Sequence, residues 1–198
     1  GADRPHSRPA GPGRPGAGVI EHKILFTGTT GAGKTTAIRA VSEVVPINTD
    51  VRNTDPEFAK AMTTAGLDYG ELTLDKGEKL RLYGTPGQHR FNFMWSILAR
   101  GALGVVILVD NSRPQPLDDL DAYLQGFRQL IDEGACVIAV GRLDSHPHPG
   151  LERYARHLEA RHVLCPVVDT DVREAAQVVQ LLELLLLQLE SKTTGRQA

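Results

Sequence analysis

Along the chain, short apolar runs alternate with longer segments whose apolar residues recur at helical spacing. Residues 24–26, 105–109 and 137–140 are apolar without a break, which is typical of strands covered on both faces in a parallel sheet. Residues 75–78 read Asp-Lys-Gly-Glu and predict a hairpin with one antiparallel edge. We expect an α/β fold with a mostly parallel sheet of about six strands and helices on both faces. Strands are predicted near 20–27, 67–74, 79–83, 103–109, 136–140 and 163–168, and helices near 34–44, 90–100, 117–132, 151–160 and 172–190.

The two ends of the chain differ in composition from its body. Residues 1–18 are rich in Gly, Pro and Arg and cannot bury apolar surface, so we expect a disordered tail there. We expect one folded domain over residues 19–191 and a flexible tail over residues 192–198. The 22 Lys and Arg against 24 Asp and Glu give a net charge of −2, which argues against non-specific nucleic-acid binding.

Cysteine use and hydropathy bear on location. Cys136 and Cys165 lie among apolar residues and are predicted to be buried thiols, which points to a reducing compartment. The leucine-rich stretch over 181–189 is interrupted by Glu183 and Gln188 and is too short for an integral membrane segment. We therefore expect a cytoplasmic protein.

A phosphate-binding motif follows the first predicted strand. Residues 28–35 read Gly-Thr-Thr-Gly-Ala-Gly-Lys-Thr and match G-x-x-x-x-G-K-[ST] at the start of a predicted helix. Glycines let backbone amides converge on a β-phosphate, while Lys34 reaches the β- and γ-phosphates and Thr35 offers its hydroxyl to Mg²⁺. The alternative is a glycine-rich turn that holds no phosphate. The predicted nucleotide-binding residues here are Gly28, Thr29, Thr30, Gly31, Ala32, Gly33, Lys34, Thr35 and Thr36.

A second segment, residues 82–88, closes a predicted strand and ends in Gly87 and Gln88. The amide of Gly87 can meet a γ-phosphate, and the side chain of Gln88 can orient an attacking water. Together with the phosphate loop, this segment resembles the D-x-x-G-Q segment of Ras-like small GTPases, and the resemblance runs from about Val19 to Glu190. Residues 84–95 resemble most closely a bacterial subgroup, the gliding-motility polarity and conservon-type GTPases.

The resemblance implies a small G-domain of the P-loop NTPase class that binds Mg²⁺ and hydrolyses GTP to GDP and phosphate. It implies catalytic roles for Lys34, Gly87 and Gln88, and metal ligation by Thr35 and Thr64, with Thr63 as the runner-up to Thr64. It also implies a roadblock-type regulatory partner, while the effector and the oligomeric state stay unknown. The expected behaviour is that of a signalling switch controlled by the bound nucleotide.

Two positions depart from the Ras-like pattern. Gly84 stands where the family has an Asp that holds a Mg²⁺-bound water, so we expect Thr35, Thr64, phosphates and water alone to hold the metal, and hence weaker metal retention. Thr30 stands where the family usually has Gly, and its branched side chain is expected to crowd the transition state. Slow intrinsic hydrolysis is therefore expected.

Guanine selection is predicted at residues 141–144, Gly-Arg-Leu-Asp, which resemble the family's N/T-K-x-D motif. One carboxylate, that of Asp144, can accept from N1–H and N2–H₂ of guanine together, and Arg142 can cover the purine face. Asp169 and Thr170 are candidates for further base contacts, and an N-cap role for Asp169 or Asp171 in the last helix is the alternative.

Other features are left open or set aside. The aromatic residues Phe91, Phe93 and Trp95 can form either core or a partner interface. His146 and His148 are interpreted as loop residues, because no third metal ligand stands nearby. Two further functions remain as alternatives to the switch: an interaction module that binds nucleotide without useful hydrolysis, and a P-loop ATPase or kinase.

Overall fold

One sheet of six strands organises the residues that this computed structural model describes, namely 18–44, 56–58, 60 and 66–196. The strands are β1 (Glu21–Gly28), β2 (Tyr69–Thr73), β3 (Lys79–Gly84), β4 (Ala102–Asp110), β5 (Ala135–Gly141) and β6 (Val167–Asp169). They lie in the order β2-β3-β1-β4-β5-β6, and within the described residues β2 alone is antiparallel to its neighbour. The predicted fold, with a hairpin at one edge, is confirmed.

The helices begin close to the predicted positions, but two predicted helices differ in form. The helices are α1 (Lys34–Val41), α2 (Trp95–Ala99), α3 (Pro116–Gly126), α4 (Arg128–Glu133), α5 (Leu151–Ala160) and α6 (Ala175–Gly195). A 3-10 helix over His89–Met94 precedes α2, where a continuous helix was expected. The expected helix over 117–132 is interrupted at Phe127, which has φ −113° and is buried.

Each face of the sheet carries its own apolar core. On β1, Ile24 and Phe26 point to one face, where α1 and α6 pack, while Leu25 points to the other. Helices α3, α4 and α5 cover the second face. Burial on both faces explains why the central strands consist of continuous apolar runs.

The last helix continues past the boundary expected at residue 191, as far as Gly195. The Lys192 ammonium donates to the carbonyls of Asp132 and Gly134, which holds the final turn against the end of α4. Residues 192–195, which were expected to belong to a flexible tail, form the last turn of this helix. The helix buries some of its leucines, and Leu187 is 59% exposed. None of the described helices combines the length and the apolar character needed to span a membrane.

Trp95 belongs to the core. Its ring stacks on Tyr123 and Phe127, with centroid distances of 5.0 and 5.2 Å. Gly126 makes room for the indole, because a Cβ there would lie 2.6 Å from Trp95 Cζ3. Phe93, by contrast, is 63% exposed. The aromatic cluster thus divides, with Trp95 in the core and Phe93 at the surface.

Both cysteines are free thiols, as predicted. Cys136 is fully buried on β5, and Cys165, which was expected to be buried as well, is only half-buried. A hydrogen bond with the Cys165 thiol and burial together raise the pKa of the Cys136 thiol. Cys136 is therefore held as an uncharged, unreactive core residue.

Candidate nucleotide-binding site

The phosphate loop has the backbone form that its sequence predicts. Gly28, Gly31 and Gly33 have φ of 148°, 83° and 105°, a region that favours glycine. Gly28 also lies against the carbonyl of Leu108 on β4, where a Cβ would overlap the oxygen. The loop therefore turns sharply between β1 and α1 and leaves backbone amides at the helix start.

Lys34 lies at the centre of this loop and is only 9% exposed. Its ammonium donates to the carbonyls of Gly28 at 2.5 Å and Thr29 at 2.8 Å. Burial lowers the pKa of Lys34 to about 8, against the opposing charge of Asp68. A buried cation with few charged neighbours is suited to receive the oxygens of a phosphate chain.

Gly87 lies directly against the phosphate loop. A Cβ on Gly87 would lie 2.6 Å from the Thr30 amide nitrogen, 2.8 Å from Thr30 Oγ1 and 2.9 Å from Lys34 Nζ. The Thr85 hydroxyl shares a buried 2.6 Å hydrogen bond with the Thr27 hydroxyl, and the Thr85 amide donates to the Phe26 carbonyl. These contacts position the segment that carries Gly87 beside β1.

Asp68 occupies the space that the missing carboxylate of Gly84 would take. The two residues face each other across β2 and β3, and the Gly84 amide donates to the Asp68 carbonyl at 2.9 Å. A Cβ on Gly84 would lie 3.1 Å from the Cβ of Asp68. The Thr35 hydroxyl donates to Asp68 Oδ2 at 2.5 Å. The expectation that Thr35, Thr64, phosphates and water alone would hold the metal did not take account of this carboxylate beside Thr35.

Thr35 and Asp68 form an oxygen donor pair that fits Mg²⁺, an ion that favours one or two carboxylates together with substrate phosphates. Both residues line a cleft of about 320 Å³, with Lys34, Gly84 and Gly87 on its walls. Thr64 and Thr63, the other predicted metal ligands, lie outside the described residues. In the part of the chain described, no three His, Cys, Asp or Glu side chains come together as a metal cluster.

A second cleft, of about 750 Å³, contains the predicted base-reading residues. Arg142, Asp144, Asp169 and Thr170 all line it. Asp144 is exposed, and its Oδ1 accepts from the Ser145 amide at 2.8 Å. Gly31, Gly33 and Thr36 line both clefts, so the two clefts are neighbours on either side of the phosphate loop.

Arg142 is oriented by a carboxylate that the sequence analysis did not single out. Its guanidinium forms a 2.5 Å ion pair with Asp110 at the end of β4, and it reaches the Gly31 carbonyl at 3.4 Å. Burial would raise the pKa of Asp110, but hydrogen bonds from Ser112 and from Arg142 outweigh it and lower that pKa. Arg142 is thus fixed between the base cleft and the phosphate loop.

The remaining predicted residues are less central. Gln88 is exposed and, within the described residues, is not among those that line either cleft. Thr29 is buried, and its hydroxyl has no partner among the described residues. Neither Asp169 nor Asp171 caps the last helix, whose cap position is Glu174. Asp171 instead accepts hydrogen bonds from the amide and guanidinium of Arg173.

Sheet order, phosphate loop and cleft define a P-loop nucleotide-binding protein. A family model described as a conserved hypothetical ATP-binding protein matches residues 54–191, and the chain belongs to this family. The matched range begins after the phosphate loop.

Curated relatives include several Ras-related proteins. The chain is 25% identical to Ras-related protein RabC of Dictyostelium discoideum over 87% of its own length and 85% of RabC. It is 25% identical to human Ras-related protein Rab-26 over 90% of its own length and 70% of Rab-26. It is 29% identical to human Ras-related protein Rab-12 over 60% of its own length, and this match spans about half (46%) of Rab-12. These relatives support membership of the Ras-like small GTPase superfamily.

Proposed function

We propose that this protein is a Mg²⁺-dependent GTP-binding switch with slow GTP hydrolysis. One observation carries the proposal: the phosphate loop, the Gly87 segment, the Thr35–Asp68 pair and the Asp144 loop line two neighbouring clefts that share Gly31, Gly33 and Thr36. The first cleft suits a triphosphate and the second suits a base. The Ras-related relatives support the same interpretation.

The phosphate chain is held by charge and by the loop amides. Lys34 exchanges its bonds to the Gly28 and Thr29 carbonyls for bonds to the β- and γ-phosphates. Gly87 presents its amide to the γ-phosphate, since its backbone already lies within contact of Thr30. Gln88, one residue further, orients the attacking water after the segment closes over the nucleotide.

The residues that would hold the metal are Thr35 and Thr64, and Asp68 would support them through its bond with the Thr35 hydroxyl. Asp68 replaces, from the neighbouring strand, the carboxylate that Gly84 lacks, so metal retention is stronger than the sequence alone predicts. Bound Mg²⁺ would neutralise charge that develops on the phosphate oxygens. Asp68 and Thr35 orient the metal's water and phosphate ligands.

Thr30 supports slow hydrolysis. Its Oγ1 lies against the Cα of Gly87, at the point where a γ-phosphate and an arginine supplied in trans would meet. We expect Thr30→Gly to raise the single-turnover rate of GTP hydrolysis by about tenfold or more, with Thr194→Gly, an exposed threonine near the end of α6 that lines neither cleft, as the matched control. An equal rate in wild type and Thr30→Gly contradicts a steric role for Thr30.

Base selection is tested by competition. GTP, GDP and ATP compete with a fluorescent guanine nucleotide for the purified protein in the presence of Mg²⁺. We expect guanine nucleotides to displace it at concentrations at least about 100-fold lower than ATP. Asp144→Asn should remove this preference, whereas Asp118→Asn, an exposed carboxylate on α3, should not.

The family description favours a second candidate, a P-loop ATPase, because it names ATP as the nucleotide. In the same competition, equal or stronger binding of ATP, unaffected by Asp144→Asn, would exclude guanine recognition by residues 141–144, and release of phosphate from ATP would then establish the ATPase.

A partner of the roadblock type is part of the proposal. Phe93 is 63% exposed in the segment that follows Gln88, the region where switch proteins change with the bound nucleotide. We also propose that the protein belongs to the bacterial subgroup named above, that it is cytoplasmic, and that its folded domain starts at residue 19. We expect a roadblock-type protein to co-elute with the GTP-bound chain but not with the GDP-bound chain. Phe93→Ser should abolish this co-elution.

A further inference from the structure

Asn111 lies at the carboxyl end of β4 and is 3% exposed. Its Nδ2 donates to the carbonyls of His146 at 2.6 Å and Pro149 at 3.0 Å. The hydroxyl of Tyr154, on α5, donates to Asn111 Oδ1 at 2.6 Å. Both donors and the acceptor of this buried amide are therefore engaged, which fixes its orientation.

The carbonyls that Asn111 holds belong to the loop that presents Asp144. Residues 142–149 connect β5 to α5 without a regular element, and most of them are exposed. The loop begins after Gly141, which has no side chain with which to brace it. The Gly141 carbonyl accepts a hydrogen bond from the backbone N–H of Asn111 at 3.2 Å. Asn111 thus contacts the loop at its start and twice near its end.

We propose that Asn111, itself held by Tyr154, is the positioning residue for base recognition in this protein. The proposal rests on the proposed function, in which Asp144 accepts hydrogen bonds from guanine. Asn111 touches no nucleotide. Its side chain acts by fixing the second half of the loop at His146 and Pro149, so that the Asp144 carboxylate stands at one place in the cleft before the base arrives.

The physical argument is one of preorganisation. The first half of the loop has a bond of its own, from the His146 amide to the Arg142 carbonyl, and the side chain of Asn111 ties the second half to the end of β4. Without that tie the loop samples more conformations, and these must be lost when a base binds. Replacing Asn111 by Leu keeps the volume but leaves the carbonyls of His146 and Pro149 and the hydroxyl of Tyr154 without their partners. The loop then relaxes toward water, and Asp144 moves with it, while the phosphate loop on the far side of the cleft is untouched.

The test separates base recognition from phosphate binding. Dissociation constants are measured for GDP and for inosine diphosphate, whose base lacks the 2-amino group that Asp144 accepts from. The ratio used here is the dissociation constant of inosine diphosphate divided by that of GDP. We expect this ratio to fall about tenfold in Asn111→Leu, while the dissociation constant of inosine diphosphate itself changes less than about threefold. Tyr154→Phe, which removes one bond of the network, should lower the ratio by a smaller factor.

Gln188→Leu provides the matched control. Gln188 is also a partly buried amide that braces backbone, through Cys136 at the opposite end of β5. It should leave the ratio at the wild-type value even if it lowers the melting temperature. A melting curve for each variant verifies folding, and Tyr154→Phe carries the test if Asn111→Leu does not fold.

Each outcome has one meaning. A wild-type ratio in folded Asn111→Leu and Tyr154→Phe overturns the positioning role and leaves guanine recognition by Asp144 intact. Two results would overturn the base-reading role of Asp144 and the role of Asn111 with it. One is that the wild-type protein binds the two nucleotides equally well, and the other is that Asp144→Asn leaves the ratio unchanged.

Discussion

Replacing Asp68 by Asn tests whether the carboxylate has moved from one strand to the next. The side chain keeps its size and one oxygen, but it loses the charge that lies 2.5 Å from the Thr35 hydroxyl. Loss of a group that orients metal ligands costs about 10–100-fold in metal affinity, or about 1.4–2.7 kcal/mol. Free Mg²⁺ slows the release of bound GDP, and the Mg²⁺ concentration that gives half of this effect is measured with a fluorescent GDP. We expect that concentration to rise by about 10–100-fold in Asp68→Asn.

Two further variants make this test specific. Asp75→Asn removes an equal charge beyond the other end of β2, in the exposed hairpin turn, and should leave the Mg²⁺ dependence unchanged. Asp68→Gly combined with Gly84→Asp returns the carboxylate to the neighbouring strand and should restore most of the metal affinity. An Asp68→Asn protein that releases GDP with the wild-type Mg²⁺ dependence would refute the reasoning.

Three other predictions follow from the site and the core. Gly87→Ala places a Cβ 2.6 Å from the backbone nitrogen of Thr30, so nucleotide affinity, measured by calorimetry, should fall about tenfold or more. The pKa of Lys34 is lowered to about 8 in the folded protein. Above that pH the unfolded chain therefore binds more protons at this residue than the folded protein does. The free energy of unfolding without nucleotide should therefore rise by about 2 kcal/mol between pH 7.5 and 9.5 in urea titrations, a rise that Lys34→Met abolishes. Gly126→Ala should lower the free energy of unfolding by about 1–3 kcal/mol, because the new Cβ meets the ring of Trp95. Helix propensity alone would raise that free energy, so a stabilised variant would contradict the packing described.

Local patterns predict much of the fold. The apolar runs at 24–26, 105–109 and 137–140 lie in β1, β4 and β5, and the phosphate loop lies where its motif predicts. These features depend on residues that are neighbours in sequence or on burial on both faces of the sheet. The break at Phe127 was not predicted from its local sequence, and the residue packs against Trp95, which is far away in sequence.

Asp68 and Asn111 were not predicted, for a different physical reason. Asp68 acts only because the antiparallel register of β2 and β3 brings it opposite Gly84, and register is not written in a local motif. The pair Asp68 and Gly84 nevertheless leaves a signal: a glycine at an expected carboxylate position directs attention to acidic residues on the neighbouring strand. Asn111 leaves a weaker one, a lone amide at the end of an apolar strand.

The stacked indole has a practical consequence. Trp95 is the single tryptophan of the chain, seven residues after Gln88, and no described residue accepts a hydrogen bond from its ring nitrogen. An indole in such a dry environment emits at short wavelength, and the emission moves to longer wavelength when water reaches the nitrogen. The protein therefore contains a native optical reporter on the segment that follows Gly87. If nucleotide exchange moves this segment, as the proposed function predicts, we expect the exchange to be timed in a stopped-flow instrument without attaching a dye.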